Sequence, residues 1–75
     1  SNAPASENTG RVFELSLAYY SDLASRNGGL TVSTLARDQG WPTEKAMMAL
    51  EMLKASHGWV RTDASGYTPP MVEVA

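Results

Sequence analysis

A chain of 75 residues without cysteine excludes disulfides and thiolate zinc sites, and it has room for a single core. Six basic and eight acidic residues leave a net charge of −2, which excludes the bulk basic character usual for an isolated nucleic-acid-binding domain but leaves a local basic stripe open. No apolar run approaches the roughly 18 residues that a membrane span needs, so a cytoplasmic setting is expected.

Ser1-Asn2-Ala3 has the look of a remnant left by tag cleavage and is set aside. Residues 1–8 are expected to form a flexible lead-in, 9–70 one domain and 71–75 a short apolar tail. A first helix is expected over Gly10 to Arg26, capped by Asn8 or Thr9. Phe13, Leu17, Tyr20 and Ala24 fall at helical spacing, with Val12, Leu15, Tyr19 and Leu23 beside them. So wide an apolar face implies a helix held between the core and a second surface. Tyr19 is therefore a candidate interface residue as well as a candidate core residue with a wet hydroxyl. Asn27-Gly28-Gly29 supplies the stop.

Leu30 and Thr31 read as a short extended segment, and Thr31 is a good N-cap for a second helix over Val32 to Gln39. Gly40 ends that helix, Trp41 plugs the corner beneath it, and Pro42 sets the backbone for a third helix from about Thr43 to Ser56. Ala46, Ala49, Leu50 and Leu53 should point inward. Glu44, Lys45, Met47, Met48, Glu51 and Lys54 should lie outward or to the side. His57-Gly58 ends the helix, and His57, the single histidine, reads as a structural cap favoured by the helix dipole. Trp59 to Thr62 is a strand, Asp63 to Gly66 a turn, and Tyr67-Thr68 the start of the returning strand, halted by Pro69-Pro70. The expected core is Phe13, Leu17, Tyr20, Leu30, Leu35, Ala36, Trp41, Ala46, Leu50, Leu53, Trp59, Val60 and Tyr67.

Two helices across a tight corner, followed by a hairpin, define a small, mainly helical α+β domain: three helices and a two- or three-stranded antiparallel sheet. Leu30-Thr31, Leu35-Ala36, Gly40-Trp41-Pro42, Leu50, Leu53, Gly58-Trp59-Val60 and Gly66-Tyr67 together resemble the winged helix-turn-helix, as in the DNA-binding domains of the IclR and MarR families of bacterial transcription regulators. The resemblance spans Gly10 to Pro69. It implies a regulator module whose third helix, about 43–56, enters the major groove of double-stranded DNA, with the hairpin as the wing. Carried over by position, Thr43, Glu44, Lys45 and Met48 would face the groove, while Arg37 and Arg61 would touch phosphate. Ser33, Thr34 and Lys54 are further donors. A dimer would present two copies to successive half-sites.

The residues also support a reading of another class. Met47 and Met48 can neither read base edges by hydrogen bonds nor neutralise phosphate, and Glu44 is repelled by it. The plainer reading of the Met47, Met48 and Met52 cluster turns Met48 or Met52 into the core; the sharper one is an exposed methionine pair on an adaptable protein-binding face. The alternative is thus a winged helix used for protein interaction or assembly through helix three and helix one, with Met47, Met48 and Tyr19 at the interface. The partner would be a second copy or another protein. An enzyme is not expected: His57 has no orienting acid, the carboxylates are dispersed, and no Gly-rich phosphate loop is present. No cofactor and no metal site are expected, since His57 has neither cysteine nor histidine companions.

Overall fold

A computed structural model describes residues 11–62 and 66–70. The lead-in over 1–8, the caps expected at Asn8 and Thr9, most of the 63–66 turn and the tail over 71–75 lie outside the described residues. In chain order the elements are β1 (Arg11–Val12), β2 (Leu15–Ser16), α1 (Leu17–Asn27), α2 (Val32–Gln39), α3 (Thr43–His57), β3 (Val60–Thr62) and β4 (Gly66–Thr68). The domain is mainly helical, a small α+β arrangement. No described helix is long and apolar enough to cross a membrane.

The first element differs from the sequence expectation. Instead of a helix from Gly10, residues 11–16 form a hairpin with Val12 paired to Leu15 and Arg11 to Ser16. Its two turn residues, Phe13 and Glu14, both have positive φ, 49° and 71°, as a type I′ turn requires. The helix starts only at Leu17 because Ser16 caps it: the Ser16 hydroxyl accepts from the Tyr19 N–H at 3.1 Å. The apolar width expected of helix one is therefore shared between two elements. Val12 turns inward at 1% exposure, and Phe13 and Leu15 pack against the core from the hairpin. Leu17 and Tyr19, on the helix itself, stay half-buried.

The rest follows the local signals closely. Thr31 caps α2, its hydroxyl accepting from the Thr34 N–H at 3.1 Å. Gly40 ends α2 in the left-handed region at φ 68°, where a side chain costs about 1–2 kcal/mol. Pro42 occupies the cap position of α3, and its carbonyl accepts from the Lys45 and Ala46 N–H groups at 3.1 and 3.2 Å. At the far end Gly58 turns the chain in the left-handed region at φ 72°, and the Gly58 and Trp59 N–H groups both donate to the Leu53 carbonyl, the latter at 3.0 Å.

β3 and β4 pair antiparallel in the register Val60–Thr68, Arg61–Tyr67 and Thr62–Gly66. On its other side β4 meets the chain before α2: Leu30 and Tyr67 exchange two backbone hydrogen bonds, both 2.8 Å. This tie fixes the hairpin against the α2–α3 pair.

The core joins Val12, Tyr20, Leu23, Ala24, Leu30, Leu35, Ala46, Ala49, Leu50, Leu53 and Trp59. Of the expected core, Phe13, Leu17, Ala36, Trp41 and Tyr67 are half-buried, and Val60 is a correction: it is 55% exposed. Successive side chains of a strand point to opposite faces, so burying Trp59 sends Val60 outward.

Tyr20 sits at the centre, fully buried, edge-on to Trp59 with ring centroids 6.5 Å apart, its hydroxyl donating to the Val12 carbonyl at 3.1 Å. Burial raises its pKa from 10.0 to about 12. A raised folded-state pKa contributes stability that is complete below pH 10 and lost as pH climbs through 12. Alkaline unfolding should therefore cost on the order of 2–3 kcal/mol across that window. Denaturant titrations at a series of pH values should show this slope in the wild type and lose most of it in Tyr20→Phe. An equal slope in both would refute the assignment.

Candidate functional site

α3 spends one face on the core and offers the other to solvent. Ala46, Ala49, Leu50 and Leu53 take the inner face. Glu44, Met47, Met48, Glu51, Met52 and Ala55, spaced i, i+3, i+4, i+7, i+8 and i+11, are all exposed on the outer one. Met47, Met48 and Met52 stand at 51%, 57% and 41% exposure, so neither Met48 nor Met52 turns into the core. Val60, across the chain reversal, adds to the exposed apolar area. The charges on this face are the carboxylates of Glu44 and Glu51, with the exposed Lys54, seven residues after Met47 and three after Glu51, at its edge.

Beside the face runs an open groove of about 330 Å³. Leu50, Met47 and Glu51 reach it from α3, Leu30 and Val32 from the segment opening α2, and Arg61 and Tyr67 from the hairpin. Glu51 and Arg61 are both exposed, and neither has a hydrogen-bond or ion-pair partner among the described residues.

Lys45, Arg37 and Arg26 lie apart from this face. Lys45 folds back over the corner, its ammonium 4.4 Å from the centre of the Trp41 ring and 5.8 Å from that of Phe13. The two rings meet edge-on at 6.0 Å. Arg37 lines a separate cleft between α1 and α2, with Arg26, Asn27 and Asp38. Arg26 is paired with Asp22 at 2.9 Å on the surface of α1, a contact of little energetic weight. Of the residues expected at DNA, Thr43, Glu44 and Met48 thus share one exposed helix end, whereas Lys45, Arg37 and Arg61 occupy three different settings.

Tyr19 is half-buried and ties α1 to α2. Its hydroxyl donates to Asp38 Oδ2 at 2.6 Å and accepts from Gln39 Nε2 at 2.9 Å, while Gln39 Nε2 also reaches Asp38 Oδ2 at 2.6 Å. Donation from Tyr19 holds the Asp38 carboxyl below its ordinary pKa, and the same hydrogen bond raises the Tyr19 phenol. This triad and the Lys45 cage escaped sequence reading. Both join residues that only the folded chain brings together, Phe13 with Trp41 and Tyr19 with Gln39.

No group of three or more potential metal ligands is assembled among the described residues. No protein-family model, no curated protein and no solved structure matches the chain.

Proposed function

We propose that this chain is a winged helix module whose outward α3 face receives a protein partner. The observation that carries this reading is the exposure of three methionines on a helix face whose charges are Glu44 and Glu51, with a single cation, Lys54, at its edge. Exposed contiguous apolar surface on a small domain marks an interaction site, and methionine adapts its shape to whatever covers it. Duplex DNA demands the opposite: several cations on one surface, since affinity rests on neutralised phosphates. Here Lys45 is held over Trp41, and Arg37 lines a different cleft from the groove that holds Arg61. The winged helix assignment is supported by the element order, by the Gly40–Pro42 corner between α2 and α3, and by Leu30 acting as a short third strand on Tyr67.

A second reading keeps α3 in the major groove of DNA as part of a transcription regulator. It is favoured by the exposed start of α3, where Thr43 and Glu44 stand free next to the corner.

One pair of measurements separates the two. Peptides selected from a displayed library against the wild type should lose at least about tenfold in affinity for Met47→Ser/Met48→Ser, whose surface changes leave stability within about 0.5 kcal/mol. A labelled random duplex pool at low salt should not bind. Duplex binding that survives the serine changes and falls with Arg37→Ala or Arg61→Ala would reverse the conclusion.

A further inference from the structure

We infer that the occupant of the α3–hairpin groove is a second copy of this chain, packed about a two-fold axis so that Glu51 of each copy meets Arg61 of the other. The inference rests on the protein-interaction reading above and names its partner. Its basis is the charge pattern of the groove. Glu51 stands on the α3 side and Arg61 on the hairpin side; both are exposed, and neither is paired among the described residues. A partner carrying one sign of charge would satisfy one of them and repel the other. In a two-fold interface, residue i contacts residue j and j contacts i, so one carboxylate and one guanidinium on opposite sides of a groove complement themselves.

The apolar part of the surface fits the same occupant. Met47 and Leu50 on α3 and Tyr67 on β4 line the groove with the two charges, and Met48 is exposed on the outer face of α3. Unbranched methionine side chains interdigitate with their own copies without a shape matched in advance. A net charge of −2 per chain puts little long-range repulsion in the way. Lys45 and Arg37, outside the groove, take no part. A chain of 8.1 kDa presents one such groove per copy, so the association should be concentration-dependent.

The test is the mass of the 75-residue chain by sedimentation equilibrium over rising concentration. The wild type should climb from 8.1 kDa towards twice that value. Glu51→Arg and Arg61→Glu should each weaken association by about tenfold or more, because each brings like charges together twice per dimer. An equimolar mixture of the two variants should recover the wild-type association, since both contacts then join opposite charges again. Helical circular dichroism confirms that each variant is folded. A wild type that stays at 8.1 kDa, single variants that associate as the wild type does, or a mixture that fails to recover would each overturn the inference. A monomeric chain whose selected peptides still depend on Met47 and Met48 would remove the second copy as partner and leave the interaction reading standing.

Discussion

Alanine at position 66 is expected to cost the domain about 3–4 kcal/mol and to lower its melting temperature by roughly 15 °C or more. Gly66 has φ 95°, a conformation that side chains rarely adopt. A Cβ there would also overlap the Leu30 carbonyl oxygen and lie 2.6 Å from its carbon and 2.9 Å from the Thr31 methyl. Two of those three atoms are backbone and cannot swing aside. β4 must then back away from Leu30, and the paired 2.8 Å hydrogen bonds between Leu30 and Tyr67 are lost with it. A domain of this size is stable by only some 3–10 kcal/mol, so the loss is a large share of the whole. Gly28 provides the internal control. It too is left-handed, at φ 68°, but nothing lies within 4 Å of its missing Cβ. Gly28→Ala should therefore cost only about 1 kcal/mol. Thermal melts that rank Gly28→Ala as the worse of the two would show that the approach of Leu30 to Gly66 is unimportant.

Leu53→Ala should be of similar severity by a different route. Leu53 is wholly buried on the inner face of α3, and its layer includes Leu35, also fully buried, and the small side chains of Ala46 and Ala49. Small neighbours cannot swing in to fill the space, so the variant loses both the burial of the removed carbons and the packing around them, about 2–5 kcal/mol. Its backbone carbonyl still accepts the Trp59 N–H, so the end of α3 is not disturbed. Urea titration should show a midpoint that falls with an unchanged slope. Met52→Ala, on the outer face of the same helix at 41% exposure, should stay within about 0.5 kcal/mol of the wild type. Equal losses at positions 53 and 52 would mean that the two faces of α3 are misassigned.

α2 and α3 were legible because their ends are chemically marked. Thr31, Gly40, Pro42 and Gly58 each carry a local preference that points to one boundary, and the structure places the boundaries there. The start of α1 was not, because Val12, Phe13, Leu15 and Leu17 fit a helical period and an extended one alike. The deciding signal was Ser16, a good cap immediately before the aromatic run, whose preference is as strong as that of the Asn8 and Thr9 pair. Val60 was misjudged for a related reason: a strand alternates faces, and Trp59 had already taken the inner one. The methionines of α3 straddle the edges of its outward face, so their exposure depended on how far the hairpin and β1 reach around the helix. The Lys45 setting was illegible altogether, since it needs the hairpin to carry Phe13 to Trp41.

That hairpin has a consequence for how the corner behaves. Phe13 and Glu14 hold a turn conformation that glycine and asparagine enter readily and that other residues resist by about 1–2 kcal/mol each. The Phe13 ring, lodged against Trp41 and under Lys45, offsets that resistance from outside the turn. The turn is thus anchored from a distance: the start of α3, through Trp41 and Lys45, braces a hairpin whose own two middle residues disfavour its shape.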